Sequence, residues 1–399
     1  MVLNLVLAAL AFLSLGILLW QFVVAMRFPL HQRVADPGYA PSVTLLKPLK
    51  GVDAETRHCL ESWLNQDYAG RVQIVFGVAS ADDPACEMAR QFTAARPERD
   101  AHLVICSESL GMNAKVSTLI QLQRSAKHDV VVISDADVHV PPDFLCNLVA
   151  PLRDDRVGLV SCFYRLANPA TLAMQSEAIA INADFWSQVL QAQNLKPLDF
   201  ALGAVMATTR RRLESIGGFE ALKDFLADDY QLGNLIARKG GRIVLCPVVV
   251  ECRESPKSWR EVWRHQLRWA RTIRICQPVP YFFSILGNAT LWPLLWLISM
   301  LPAVGETYYS VRVVALLLLS TVSICAGTIL LARVFMAMRL ASKLTDSNVH
   351  WAFFWLVPVK DLLAAVIWAL SFVGSSVEWR GQRYRVRRGG KLERNPNAE

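Results

Sequence analysis

From Val2 to Met26 the chain carries no charged residue. A helix rises about 1.5 Å per residue, so this stretch is long enough for a hydrocarbon core roughly 30 Å thick. It is too long for the apolar core of a signal peptide. No small-residue cleavage site precedes Arg27, so it reads as a retained signal anchor. Two further apolar stretches, Tyr281–Val304 and Val311–Met338, are each long enough to span, with Arg312 and Arg333 placed to snorkel near the ends of the second. A last one, Trp351–Val373, is interrupted at its centre by Lys360 and Asp361. Charges at mid-bilayer are expensive, which predicts a segment that dips in and returns, or lies in the interface. The 53% hydrophobic composition fits a chain partly dissolved in lipid.

Charge sets the orientation. The formal charge of +8 crowds beside the apolar stretches, which suits anionic lipid headgroups rather than nucleic acid. Arg27 and Arg33 follow the first span and mark the next domain as cytoplasmic. The Gly305–Ser310 loop has no basic residue and reads as outside. Arg339 and Lys343 read as inside, as does a tail with Arg380, Arg383, Arg385, Arg387, Arg388, Lys391 and Arg394. A third full C-terminal span would put that tail outside, so Trp351–Val373 should not cross. Nine cysteines without a C-x-x-C pair argue against a zinc site or a disulfide framework, and for a reducing compartment. The expected location is a bacterial inner membrane.

Between Pro41 and Cys252, apolar runs alternate with helical patterns. Strands are predicted at Ser42–Leu46, Val72–Val78, His102–Cys106, Val130–Ser134, Gly158–Phe163 and Arg242–Val250. Helices are predicted at Ala54–Asn65, Pro84–Ala95 and Ala114–Ser125. This alternation implies an α/β domain with a mostly parallel sheet covered on both faces. Ligands of such sheets sit at the carboxyl ends of the strands. Five stretches result: an anchor at 1–26, the α/β domain at 41–254, and an interfacial amphipathic helix at 255–278. A C-terminal membrane region at 279–374 holds two spans plus the re-entrant or interfacial segment, before a basic tail at 375–399. The interfacial helix carries Arg260, Arg264, Arg268 and Arg271 on one stripe beside Trp259 and Trp263.

Three motifs and a turn carry chemistry. Ser134-Asp135-Ala136-Asp137 ends the apolar run Val130–Ile133, and two carboxylates one residue apart can hold a hard divalent cation against a diphosphate. Short acidic turns are also commonly just solvated. Ala227-Asp228-Asp229-Tyr230 opens a helical pattern. A carboxylate there could take the proton of an attacking hydroxyl, although an N-cap with an acidic first turn looks the same. His265-Gln266-Leu267-Arg268-Trp269 offers a guanidinium for phosphate and an indole wall, or plain interfacial packing. Gly111-Met112-Asn113-Ala114-Lys115 sets a glycine turn before a helix, with Lys115 placed to meet a donor phosphate.

Taken in chain order, these motifs resemble those of inverting, metal-dependent glycosyltransferases of the GT-A fold. More narrowly, the sequence is similar to the ceramide glucosyltransferase family and its bacterial relatives, including hopanoid-biosynthesis glycosyltransferases. The likeness runs from anchor to tail and includes Lys47-Pro48-Leu49-Lys50-Gly51, Gly217-Gly218-Phe219 and Trp379-Arg380-Gly381. It implies a GT-A-type nucleotide-diphosphosugar transferase domain with N-terminal and C-terminal transmembrane helices. By the same resemblance Asp137 is the main ligand of Mn2+ or Mg2+, with Asp135 nearer the nucleotide ribose, and Asp229 is the base. Arg268 and Trp269 line the diphosphate and acceptor side, and His265 joins Lys115 and Asp135 in the donor-binding set.

Two positions depart from the family pattern. The acid that contacts uracil at the end of the second strand is here Ser80, with Asp82 and Asp83 just beyond. The glutamine or arginine that opens the R-W motif is His265. The implied activity is transfer of a hexose, glucose from UDP-glucose, onto a lipid hydroxyl with inversion. A hopanoid or other lipid acceptor, with N-acetylglucosamine or another sugar, is the alternative, and Thr171–Phe200 is the acceptor-side insert. A processive polysaccharide synthase would need a transmembrane channel, for which the spans are few. A non-catalytic membrane scaffold would not need three motifs in register. The expected partners are a nucleotide-sugar, a lipid acceptor of ceramide or hopanoid type and the bilayer, and no nucleic acid.

Overall fold

The uncharged N-terminal stretch forms one helix, α1 (Val2–Arg27), in a computed structural model that describes residues 2–36, 38–301, 309–347, 351–379, 382–387 and 389–394. Strands and helices then alternate as β1 (Val43–Pro48), α2 (Thr56–Leu64), β2 (Val72–Val78), α3 (Pro84–Ala95), β3 (Asp100–Ile105), α4 (Ala114–Gln123) and β4 (Val130–Ser134). Next come β5 (Val138–His139), α5 (Phe144–Val149), β6 (Val157–Leu166), α6 (Leu172–Ile179), α7 (Trp186–Leu195) and β7 (Val205–Thr209). The domain closes with α8 (Arg210–Ser215), α9 (Asp228–Arg238) and β8 (Arg242–Cys252). The apolar C-terminal part holds α10 (Trp259–Cys276), α11 (Pro278–Phe283), α12 (Leu291–Ser299), α13 (Tyr309–Thr345) and α14 (Leu356–Ser371). Three short strands follow: β9 (Ser376–Trp379), β10 (Gln382–Val386) and β11 (Leu392–Arg394).

The chain divides into two units. One comprises residues 29–170, 192–257 and 376–399, the other residues 1–28, 171–191 and 258–375. The first holds an eight-stranded sheet in the order β3-β2-β1-β4-β7-β6-β8-β5. β1 and β4 are buried along their whole length, as strands covered on both faces must be. Their parallel register sets Leu46 opposite Ile133, so the Lys47 and Asp135 regions emerge at the same sheet edge. The expected parallel majority holds narrowly, with four of the seven pairings parallel. Three of the seven pairings are antiparallel, because β7 runs against β4 and β6 and β5 runs against β8. β7 escaped prediction because its apolar part, Val205-Met206-Ala207, is only three residues long, too few to show a strand period. The third strand begins at Asp100 rather than His102, and the last two run on to Leu166 and Cys252.

The helix starts follow their caps. Asp83 accepts the Ala85 N–H before α3, with Pro84 in the first turn, and Asn113 accepts the Val116 N–H before α4.

In the helical unit, α1 packs Leu7, Ala11 and Leu18 against Trp296 of α12 and Ile329 of α13. Leu3, Leu5 and Leu13 of the same helix are left largely exposed. Among the described residues, two helices, α1 and the Arg312–Thr345 part of α13, are long and apolar enough to cross a membrane. The stretch expected to span at Tyr281–Val304 is not one straight helix. Pro278–Gly287 and Leu291–Ser299 meet at 54° and make a third span only if counted together. Residues 305–308 of the expected outer loop, and Arg380, Gly381 and Arg388, lie outside the described residues. α6 and α7 are joined by a π-helical turn, Ala180–Phe185. Asp184 in that turn pairs with Arg333 of α13 at 2.8 Å and with Lys360 of α14. Asp361 pairs with Arg333 at 2.8 Å and with Lys360 at 2.7 Å, and also accepts the Thr290 hydroxyl at 2.6 Å. The charged pair that interrupts the last apolar stretch is therefore half of a buried quartet.

Candidate active site

The strand order and the caps place four of the expected residues together. β4 ends at Ser134 and hands over to Asp135, whose N–H bonds to the Ala204 carbonyl just before β7. The cap at Asn113 starts α4 so that Lys115 points inward, almost wholly buried. Its ammonium meets Asp135 at 2.6 Å and Asp228 at 3.3 Å. Burial works against the charge on Lys115, but Asp135 and Asp228 outweigh it and hold the ammonium well above its ordinary proton affinity. The lysine expected at a donor phosphate thus ties the D-x-D turn to the first acid of the D-D pair.

Asp229 is the next residue of α9. Its Oδ1 accepts the Tyr230 N–H at 2.7 Å. Gly203 leaves room for the other oxygen, since a Cβ there would fall 2.7 Å from Asp229 Oδ2. Burial and the neighbouring Asp228 push the Asp229 carboxyl up to about 6. Asp137 is pushed further, to about 7, by burial and by the Asp135 and Glu254 carboxylates. Four aspartates therefore converge with Lys115, and Asp137 lacks enough neighbouring cation to ionise freely.

Sequence reasoning missed three groups here. Lys47, fully buried at the end of β1, donates to Ser134 Oγ at 3.0 Å and to the Asp135 carbonyl. Burial lowers its ammonium to about 8. A lone lysine closing an apolar strand was the available signal. Tyr164 of β6 is buried within the field of Cys252, Asp229, Asp135 and Asp137, and burial drives its phenol well above the usual range. Glu254 bears on Asp137 and carries Lys257 at 2.5 Å.

Among the described residues, no group of three or more His, Cys, Asp and Glu side chains is arranged to hold a metal. A diphosphate-bound cation does not require one. Magnesium-type sites use one or two carboxylates and take their remaining oxygens from substrate phosphates and water. Asp135 and Asp137 fit that donor set, Asp137 with like charge rather than cations beside it.

Asp83 spends its carboxylate on Ala85 N–H and on Gly51 N–H at 2.9 Å, joining the end of β1 to α3. Asp82 is exposed beside Ser80, whose hydroxyl accepts the Asp82 N–H. Of the two acids, only Asp82 is left exposed.

His265, Arg268 and Trp269 belong to the helical unit, on α10. A capping box between Ser258 and Glu261 starts that helix. His265 Nδ1 lies 2.6 Å from Glu177 of α6, which also accepts Gln266 Nε2 at 2.9 Å. The Trp269 indole packs against the His265 ring at 4.7 Å and against Phe185 of the π turn at 5.9 Å. The basic stripe is partly used within the unit: Arg271 donates to the Val373 carbonyl just past the end of α14.

A family model described as Glycosyl transferase family 21 matches residues 6–392. Ceramide glucosyltransferase 3 of Caenorhabditis elegans is 21% identical over 371 residues, covering 92% of this chain and 77% of that protein. Ceramide glucosyltransferase 1 of the same nematode is 23% identical over 214 residues, and the match spans 53% of this chain but only 46% of that relative. Among solved structures, the mannosyltransferase PcManGT from Pyrobaculum calidifontis, in complex with GDP-Man and Mn2+, is 22% identical. It covers 91% of this chain and 96% of its own, with a TM-score of 0.52, a likeness of fold.

Proposed function

The chain belongs to glycosyl transferase family 21, and from that membership we propose that it transfers glucose from UDP-glucose to the hydroxyl of a ceramide-type lipid with inversion. The GT-A-type fold supports this reading, as do two described helices long and apolar enough to cross a membrane. The names of the nematode relatives support the donor sugar and the acceptor. One observation carries the chemistry: Asp229 is a half-buried carboxylate, raised to about 6, one residue from an acid that Lys115 ties to the D-x-D turn.

In this reading Asp229 accepts the proton of the lipid hydroxyl as its oxygen forms a bond to the anomeric carbon. The bond from that carbon to the diphosphate oxygen breaks on the opposite face, so configuration inverts and the electron pair leaves with UDP. A carboxylate raised to about 6 is still ionised at neutral pH and is a stronger base than an ordinary aspartate. Asp137 and Asp135 would hold a divalent cation. When bound, the cation neutralises charge on the departing diphosphate. Asp82 is assigned to the nucleobase side, and Arg268, Trp269 and His265 keep the diphosphate and acceptor roles that family resemblance gives them. Asp229→Asn should lower transfer by about 10²–10⁴ while UDP binding survives. A drop below threefold would remove Asp229 from the mechanism.

A further inference from the structure

The basic tail is folded. β9, β10 and β11 form an antiparallel sheet with Val377, Tyr384, Val386 and Leu392 buried. Three short strands need something to pack on, and these belong to the same unit as the eight-stranded sheet. Gly389 and Gly390, at φ of +84° and +88°, turn the chain into β11. Beyond that turn the tail pairs with the loop that leads into Asp228 and Asp229. Leu226 N–H donates to the Gly390 carbonyl at 3.1 Å, and Leu392 N–H donates to the Asp224 carbonyl at 2.7 Å. Between these bonds Phe225 faces Lys391, whose ammonium lies 5.7 Å from the centre of the phenyl ring. One turn into α9, Gln231 Nε2 donates to the Gly389 carbonyl at 3.0 Å.

The other side of the same loop is held by the glycine turn before α4. Asn113 N–H donates to the Lys223 carbonyl at 2.8 Å, and its side-chain amide donates to the Phe225 carbonyl at 2.8 Å. Met112 N–H donates to Asp224 Oδ1 at 3.1 Å. Gly111 allows this approach, because a Cβ there would lie 2.5 Å from the Lys223 carbonyl oxygen. The 223–226 loop is therefore clamped between the Lys115 turn and the last described strand, two residues before the acids.

We propose that the C-terminal strand is a positioning element for the reaction: Gly390, Lys391 and Leu392 hold the 223–226 loop so that Asp229 is presented at the sheet edge beside Asp135. The inference rests on Asp229 being the base. None of the three touches the acids directly, so each acts through the loop. Without the strand, Leu226 N–H and the Asp224 carbonyl lose their partners, and α9 can shift at its first turn while the D-x-D turn and its lysine stay in place.

The full chain and a chain ending at Arg387 should be compared in vesicles with Mn2+. The shortened chain should lose at least tenfold in kcat while binding UDP with Mn2+ within threefold of the parent. Should it fail to bind UDP, a second pair of variants decides. Gly390→Val strains the turn at positive φ and should lower kcat at least fivefold. Phe225 and Lys391 form a pair without mutual hydrogen bonds, the closer type in antiparallel strands, at a spacing that a disulfide can bridge. Adding Phe225→Cys and Lys391→Cys to Gly390→Val, oxidised and verified by mass, should restore kcat to within twofold of the parent. A shortened chain that binds UDP and keeps parental kcat overturns the proposal, as does a cross-linked chain no faster than Gly390→Val alone. Asp229→Asn run in parallel separates the failures. If it is inactive while the shortened chain is fully active, only the positioning role falls; if it is active, the base assignment itself falls.

Discussion

Asp137 and Asp229 share a predicament: each sits half-buried beside other carboxylates, and each holds a proton above the ordinary range for aspartate. The catalytic consequence is a pH profile. Only ionised Asp229 can take a proton, so kcat should rise through about pH 6 to a plateau. A profile flat from pH 5 to pH 8 would exclude Asp229 as the base. The stability consequence runs the other way. The folded chain retains protons that the unfolded chain releases near pH 4, so these two groups favour the fold at low pH. That contribution disappears as pH rises through about 6 and 7. Metal-free protein should melt at a lower temperature at pH 8 than at pH 6, and Mn2+ should raise the melting temperature more at pH 8. Asp137→Ala should abolish that Mn2+ effect and weaken Mn2+-dependent UDP binding in calorimetry; unchanged affinity would move the metal role elsewhere. The sequence showed these acids as motifs, because adjacent carboxylates at a strand end are visible in one dimension. It did not show Lys115 bridging Asp135 and Asp228, since that contact joins three separate segments through the sheet.

At the scale of elements, α14 teaches the same lesson. Lys360 and Asp361 looked too costly for a membrane segment, and that cost argued for a helix that does not cross. In the fold both are buried with Arg333 and Asp184, so the charges are compensated and their cost no longer decides how the helix lies. Removing one member leaves its partners unbalanced. Asp361→Ala should destabilise the helical unit by roughly 3–5 kcal/mol, whereas Arg333→Met combined with Asp361→Leu should cost much less. Thermal melts in nanodiscs measure the difference, and equal losses would mean the quartet contributes only packing. The tail sheet was legible in principle. Tyr384 and Val386 alternate with Arg383, Arg385 and Arg387 at the period of a strand, a pattern masked by the basic residues that mark the tail as a cytoplasmic flank. α3, α4 and β4 were found almost to the residue because caps and turn signals bound them.

For the whole molecule, the tail sheet constrains how the chain threads the membrane. Residues 376–394 pair with the loop at 224–226, so both lie on one side of any bilayer. The intervening stretch from 258 to 375 must then cross an even number of times. We propose that α13 and the bent pair of α11 and α12 are the two crossings and that α14 does not cross, as the basic flanks predict. Arg385→Cys should accordingly resist labelling by an impermeant maleimide in sealed cells and react after permeabilisation; labelling in sealed cells would reverse the orientation. The account as a whole stands on sugar reaching a lipid hydroxyl through Asp229. Mass spectrometry of lipids from ceramide-containing cells that express the chain tests this most directly. A hexosyl-ceramide should appear with the parent chain and be absent with Asp229→Asn. No new glycolipid from the parent chain, or equal amounts from both, would contradict it.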